Sequence, residues 1–599
     1  MSSSEPIRFA IGIDLGTTHC TLAAAPLSDE QPAPEAFPIE QVIAPGEVAK
    51  EALLPSFLYR PAEGELAEHA LDLPWNQEGT DAIGRFARDK GANTPARLVA
   101  SAKSWLCHPG VDRRQGILPW GSEDVEQLSP LEASARYLAH IKDAWDHEHP
   151  DSPLDAQDVV LTVPASFDAV ARELTVEAAK KAGLPDNMRL LEEPQAALYS
   201  WLADQGAAWR KELEVGDVLL VCDIGGGTTD FSLISVQENE GSLDLERIAV
   251  GEHILLGGDN MDLALAYVVK ARLEEAGKKL DDWQVRALTH GCRAAKEGLL
   301  SETKKKSWPL VVPGRGSKLI GGTIKTDLKR EELENVLLEG FFPEVEATAR
   351  PQGARRAGLA TMGLPYASDA GITRHLAAFL GRDGLPRKDG HSFVHPTAIL
   401  FNGGVTRSTV VRDRIQDILS AWMKEESSEA PKILSGADTD LAVARGASAY
   451  GHSRQKGGVR IKGGTARAYY VGVERSELAV PGIPPKTDAL CVAPFGMEEG
   501  TEAELPETFG LYLGEKASFR FFGSGTRRED QVGTVVTPDE LEELAPVETA
   551  LKGEEGLLTP VRLQARVTEV GTLELALVQQ GVESGKEERW QLSFNVRVE

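Results

Sequence analysis

Two stretches of this 599-residue chain set chemistry-bearing residues in one order. FAIGIDLGTTHC (Phe9–Cys20) and LLVCDIGGGTTDFSLISV (Leu219–Val236) each run from an apolar strand to an aspartate and an apolar residue. Glycine, a Thr-Thr pair and a second apolar strand follow. A glycine-rich turn lets backbone N–H groups approach an anion without a Cβ in the way. Threonine hydroxyls add donors. An aspartate beside bare phosphate would be repelled by it, so Asp14 and Asp223 fit only if Mg²⁺ or water lies between. A single copy reads equally well as a plain hairpin turn. Two copies in one register point to the two jaws of a metal–phosphate clamp. Neither site carries GxxxxGK[ST], so this is not a P-loop.

The surrounding patterns form two matching halves. The first pairs the hairpin with helical patterning over Asp81–Leu106 and with a helix opened by Ser129-Pro130 and running to about His147. A buried strand in VVLTVPASF (Val159–Phe167) and an amphipathic helix closed by Gly183 follow. The second half starts at Val218 and repeats hairpin, helices and a strand in TAILFNGGVTRS (Thr397–Ser408). A repeat of about 200 residues is a duplication, since solenoid periods are only ~20–50 residues. It predicts an α/β domain with a cleft between two lobes. After about Tyr450 the texture changes. GHSRQKGGVRIKGG reads as a basic, glycine-rich linker. Beyond it, VRLQARV, TLELALV and RWQLSFNVRV alternate with period two, which predicts antiparallel β structure of the sandwich type.

Bulk properties set limits. The chain is too long for one core, so several domains or lobes are expected. A formal net charge of −28 argues against nucleic-acid binding and requires local donors or a cation for any nucleotide. The five cysteines (Cys20, Cys107, Cys222, Cys292, Cys491) show no CxxC spacing and read as reduced thiols of a cytoplasmic protein. The N-terminus lacks a signal-peptide apolar core, and no apolar run is long enough to span a membrane.

The hairpins resemble the two phosphate loops of the seventy-kilodalton heat-shock chaperones, within the actin and sugar-kinase superfamily. VPASFDAVAR (Val163–Arg172), LEEPQAAL (Leu191–Leu198), LLGGDNMD (Leu255–Asp262), FNGGVTR (Phe401–Arg407) and DTDLAVARGAS (Asp438–Ser448) resemble further segments of that family, in chain order. The resemblance covers about three-quarters of the chain. It implies a two-lobed actin-like ATPase domain of duplicated ribonuclease H-like halves over residues 6–454, followed by a smaller all-β domain over 459–599. It also implies ATP or ADP with Mg²⁺. Asp14 and Asp223 would hold the metal through water. Gly16, Thr17, Thr18 and His19 would cradle phosphate from one side, and Gly225, Gly226, Gly227 and Thr228 from the other. Lys103, Glu193, Asp223 and Asp230 would carry the chemistry: an ammonium over the transferred phosphoryl group, and carboxylates positioning water and metal. Gly257, Gly258, Lys296, Gly403, Gly404, Arg407 and Asp440 would meet the rest of the nucleotide. Pro164 and Arg172 match segments that communicate nucleotide state.

Some positions depart from the pattern. His19 stands where the family usually has Tyr or Asn. Arg293 stands where an acid is usual, and Glu297 where a base is usual. Val459 and Ile461 lie among basic residues and glycines instead of an acidic, leucine-rich linker. The period-two pattern reaches the last residue, so no helical lid is expected. The resemblance implies an atypical ATP-hydrolysing chaperone whose β domain binds unfolded or extended polypeptide or a dedicated partner. Cochaperones or a nucleotide-exchange factor would act with it, and neither nucleic acid nor membrane would. Two alternatives use the same fold: a non-hydrolysing nucleotide-binding scaffold and a small-molecule kinase.

Overall fold

The computed structural model describes residues 7–594 apart from short stretches, the longest being 315–322, 354–363, 476–485, 551–557 and 582–587. The first sheet begins with β1 (Phe9–Leu15) and β2 (His19–Pro26), an antiparallel hairpin extended by β3 (Glu35–Ala36). Helices α1 (Ala102–Leu106) and α2 (Pro130–Glu148) follow, then β4 (Asp158–Val163), α3 (Ala169–Lys181), β5 (Arg189–Glu192) and α4 (Glu193–Gln205). Strands β4 and β5 run parallel to β1 in the order β5-β4-β1-β2-β3. Every residue of β4 is buried, the condition of a central parallel strand covered on both faces. Ser129 caps α2 by accepting from the Glu132 N–H at 3.0 Å, and Asp168 caps α3 by accepting from that of Ala171 at 2.8 Å.

The second sheet repeats this plan. β6 (Val218–Ile224), β7 (Thr229–Asn239) and β8 (Ser242–Val250) form an antiparallel meander. After α5 (Gly258–Glu275) and α6 (Asp282–Ser301), β9 (Ala398–Asn402) joins β6 in parallel. Helix α7 (Thr409–Glu425), β10 (Lys432–Ile433) and α8 (Ala442–Lys456) complete it, with strand order β10-β9-β6-β7-β8. In both sheets the aspartate-bearing strand has two parallel neighbours on one side and its hairpin partner on the other. The sheets meet through α4 and α8, and Val160, Leu191, Leu219, Val221, Val443 and Ala447 share one apolar cluster. Glycine allows this approach: a Cβ on Gly446 would lie 1.6 Å from the Ala196 carbonyl oxygen, and one on Gly12 would lie 2.1 Å from that of Ala444.

Two expectations need correcting. The patterning over Asp81–Leu106 is not one helix. Helix Arg85–Gly91 stops where Leu98 packs on Gly91, Pro95 opens a 3₁₀ turn, Leu98–Val99 is a short strand, and α1 begins only at Ala102. Nor is the basic stretch simply a linker. Gly451–Lys456 continues α8, and β11 (Ile461–Lys462) pairs in parallel with Leu245 and Glu246 of β8. The Ile461 N–H donates to the Tyr199 hydroxyl at 2.8 Å, so the segment finds both a sheet edge and a side-chain acceptor. Val459 lies outside the described residues.

The C-terminal region is an antiparallel ten-stranded sheet. Its main strands are β12 (Ala468–Glu474), β13 (Thr487–Ala493), β14 (Lys516–Ser524), β15 (Glu542–Ala550), β16 (Leu558–Val567), β17 (Leu573–Gln579) and β18 (Arg589–Phe594), ordered β16-β17-β18-β15-β14-β12-β13. Alternate residues of both ends, among them Tyr469, Val492, Phe521, Leu563, Leu577 and Trp590, meet in one core. The expected alternation at Val596 and Val598 lies outside the described residues.

Candidate functional site

The two hairpin turns face each other at van der Waals range. A Cβ on Gly226 would stand 2.3 Å from Thr18 Cγ2, and one on Gly227 would stand 2.7 Å from Thr17 Cγ2. The first turn is braced by Ser56, whose hydroxyl donates to the Gly16 carbonyl at 2.7 Å and whose N–H donates to that of Thr18 at 2.9 Å. The second turn closes with the Gly225 N–H on the Thr228 carbonyl at 2.9 Å. The start of α5 holds it from behind: Gly258 and Asp259 donate their N–H groups to the carbonyls of Gly225 and Gly226 at 3.0 and 2.7 Å. Gly258 thus commits its backbone N–H to the second hairpin, and Gly257 packs against it: a Cβ on Gly257 would fall 2.6 Å from the Gly225 oxygen.

Four carboxylates and a lysine from separate elements surround this junction. Asp14 near the end of β1 accepts from Thr162 Oγ1 at 3.1 Å. Asp223 on β6 accepts from Asn402 Nδ2 at 2.7 Å. Asp230 sits opposite Asp223 in the β6–β7 register and accepts from Ser166 Oγ at 2.6 Å. Glu193 at the first turn of α4 pairs with Lys103 of α1, and Lys103 is only 7% exposed.

Burial and mutual repulsion set the charge state. Burial pushes the carboxyl of Asp14 up, with Lys103 pulling the other way. Burial raises Asp223 to about 8, with Glu193, Asp230 and Asp14 adding repulsion that Asn402 partly offsets. Burial takes Glu193 to about 7 against the pull of Lys103. Lys103 is the reverse case: burial disfavours its charge, yet Glu193 and Asp14 hold its pKa above the ordinary value. Burial would also raise Asp230, but His253 holds it below the usual range and is itself held well above the histidine value. His19 is lowered to about 4 by burial and by the nearby Arg88 and Arg293, and so is neutral at pH 7. Anionic groups forced this close are a donor set suited to a hard divalent cation.

The residues assigned to the rest of the nucleotide divide into two groups. Lys296 is buried, donating to the Gly258 carbonyl at 2.9 Å and lying 2.7 Å from Asp262. Arg293, one of the departures, contacts Asp259 and Asp262 of α5. Gly403, with φ 84°, turns the chain at the end of β9, where a Cβ would sit 2.7 Å from Asp223 Oδ1. This brings the Gly403–Gly404 loop against the carboxylate cluster. Arg407 and Asp440 form an ion pair, with Arg407 two-thirds exposed.

Sequence reasoning missed four participants. Asn402 stands directly before the FNGG glycines and was legible there as an amide at a strand end. Ser166 and Thr162 flank Pro164 without a spacing signal of their own. His253 is a lone histidine; its Nδ1 lies 3.0 Å from Ser166 Oγ and 3.2 Å from Asp230 Oδ1. Glu192 also proves separate from its neighbour Glu193. It is buried between Arg172, at 2.6 Å, and Arg247 of β8.

The Hsp70 protein family profile matches residues 112–350. That span carries the second hairpin, Glu193, the start of α5 and Lys296. The chain is 31% identical over 356 residues to a chaperone protein HscA homolog of Bordetella pertussis, covering 58% of this chain and 50% of that protein. It is 33% identical over 309 residues to a chaperone protein HscA homolog of Pseudomonas putida, covering 49% of this chain and 42% of that protein. Over these spans the chain is similar to Hsp70 chaperones. It spans about half the length of the curated relatives it matches. The mixed helix and strand content fits the α/β class of an Hsp70 domain. All five cysteines are free, and among the described residues no helix is long and apolar enough to cross a membrane.

Proposed function

We propose that this Hsp70-like chain is a chaperone that binds Mg-ATP and slowly hydrolyses it to ADP, with residues 6–454 forming a two-lobed actin-like domain. Residues 459–599 would form a sandwich-like β domain that holds an extended polypeptide or a dedicated partner. One observation carries the ATPase reading: Asp14, Lys103, Glu193, Asp223 and Asp230 converge on two Gly-Thr hairpins already in contact. The shared core of the ten-stranded sheet supports the β-domain reading. An edge of an antiparallel sheet suits strand addition by an extended peptide. Cochaperones and a nucleotide-exchange factor would act on the same domain, in the cytoplasm.

In this reading Asp14 and Asp223 hold Mg²⁺ through water, which supplies charge neutralisation between carboxylates and phosphates. The cradle fits phosphate: only glycine leaves room at 226 and 257, and the threonines bring hydroxyl donors. Gly16, Thr17, Thr18 and neutral His19 take one side, and Gly225–Thr228 the other. Lys296, Gly403, Gly404, Arg407 and Asp440 take the nucleoside. Lys103 leaves Glu193 to meet the negative charge that develops on the transferred phosphoryl group. Glu193, whose carboxyl is raised by burial, is the group placed to accept a proton from attacking water. Asp230, kept ionised beside His253, orients donors around it.

The test is steady-state ATP turnover of the full chain with and without an unfolded polypeptide, beside Asp223→Asn. A slow basal rate, raised by the polypeptide and cut ~10²–10³-fold in the folded variant, is expected. Unchanged turnover in Asp223→Asn would overturn the ATPase assignment, and a rate indifferent to polypeptide would overturn the chaperone one.

A further inference from the structure

Away from the cleft, the segment leading into β9 and the end of α7 bring three classical metal-binding side chains together. His391 and His395 stand four residues apart before Ala398, and Glu426 follows the last helical residue of α7. One donor atom from each lies within 4.8 Å of the others, and all three side chains are half-buried. The two imidazoles stack with centroids 3.8 Å apart at 13°, and the His395 ring also rests on Phe393. Nothing in the proposed nucleotide chemistry uses them.

We propose that His391, His395 and Glu426 form a binding site for a borderline-soft divalent metal ion, zinc being the natural occupant. Two imidazole nitrogens and one carboxylate oxygen are a zinc donor set that leaves coordination positions open. Mg²⁺ and Ca²⁺ prefer all-oxygen shells and would discriminate against it. The supporting hydrogen bonds are already in place. His395 Nδ1 lies 2.8 Å from Ser428 Oγ, which orients the ring and turns Nε2 toward Glu426 Oε2 at 2.7 Å. The Ser392 N–H donates to both Glu426 oxygens at 3.1 and 3.2 Å. Such outer contacts are what fix a metal ligand's tautomer and direction.

The geometry needs a modest contraction. Donors about 2.0–2.1 Å from a tetrahedral zinc stand roughly 3.3 Å apart, against the present 4.8 Å limit. Turning the His391 ring out of its stack on His395 supplies the difference, while His395 stays held by Ser428 and Phe393. Bound metal would then clip the lead-in of β9 to the end of α7. The same strand delivers Asn402 and Gly403 to the cleft, so the clip steadies that loop from a distance without touching nucleotide.

The experiment uses the full chain, stripped with chelator and dialysed against zinc chloride, with magnesium chloride in excess. Cobalt(II) serves as a visible-absorption reporter. One zinc per chain is expected, undisturbed by magnesium. Loss of a direct ligand in His391→Ala, His395→Asn or Glu426→Gln should weaken binding at least a hundredfold. Ser428→Ala, which removes only the outer contact, should weaken it about 10–100-fold. His391 has no core role, so His391→Ala keeps the test decisive if the other variants fail to fold. Absence of saturable zinc binding overturns the proposal. So does equal binding by wild type and all four variants, which would place the metal on other histidines among the twelve in the chain.

Discussion

Removing the Asp223 carboxylate should make the nucleotide-free protein more stable while destroying its turnover. The carboxyl is raised to about 8 by burial and by Glu193, Asp230 and Asp14, from an ordinary aspartate value of 3.8. The sign follows from proton binding. Between roughly pH 4 and 8 the unfolded chain has released this proton and the folded chain keeps it. Stability therefore falls as pH rises through that window. At about 1.4 kcal/mol per unit, a rise of some four units sets a ceiling on the order of 5–6 kcal/mol. The cleft is open to water and to counter-ions, so the realised effect is a fraction of it, about 1–3 kcal/mol. Asn at 223 retains an oxygen for the Asn402 amide, whose bond to Asp223 is 2.7 Å long. It also relieves the repulsion felt by Glu193. Urea unfolding of wild type and Asp223→Asn, free of nucleotide and Mg²⁺, should show the variant more stable at pH 8.5. The gap should close as pH falls toward 4. A variant less stable at pH 8.5, or a gap independent of pH, would refute the argument that repulsion dominates this cluster.

Lys103→Ala should lower turnover by more than it weakens binding of a non-hydrolysable ATP analogue, because its charge matters most as the phosphoryl group transfers. Equal losses in the two assays would make it a ground-state ligand only. Gly226→Ala should weaken nucleotide binding strongly, since the new Cβ would meet Thr18 Cγ2 at 2.3 Å. Adding Thr18→Ser, which deletes that methyl, should restore part of the affinity, and calorimetric titration reads both. Arg247→Met should cost ~3–5 kcal/mol in urea unfolding by leaving the buried Glu192 with Arg172 alone. Arg247→Gln should recover little, because it restores no charge.

The parts of this protein legible in the sequence are those where local chemistry constrains residue type. Each hairpin announces itself because its turn admits only glycine beside its partner loop, and its aspartate would be misplaced without a cation. The alternating strands near the C-terminus were legible because one face of each is buried: Val561, Leu563, Ala565 and Val567 point to one core. The helical reading of Asp81–Leu106 failed because apolar spacing outweighed two breakers, Gly91 and Pro95. The linker reading failed for a different reason. Glycine and basic composition argue for coil, but two residues suffice to pair when a neighbouring sheet presents an open edge, and β8 does so for Ile461 and Lys462.

What stayed hidden depends on contacts made far along the chain. Glu192 and Glu193 are adjacent acids, and nothing in their order says which faces the cleft. The junction of β5 with α4 separates them: Glu193 turns to Lys103, while Glu192 turns to Arg172 and Arg247. Arg247 in turn lies over Phe495 of the C-terminal region, and its neighbour Glu246 pairs with Arg528 and, through the backbone, with Lys462. One peptide unit thus separates a cleft carboxylate from a buried ion pair that joins the two hairpin sheets and touches Phe495 of the C-terminal region. A shift of the first turn of α4 cannot leave that ion pair in place, because a buried guanidinium and its carboxylate tolerate little displacement before desolvation costs dominate. The physical continuity between the candidate phosphate site and the ten-stranded sheet therefore runs through Glu192, a residue that a pattern of strand, acid and proline alone could not distinguish from a cap.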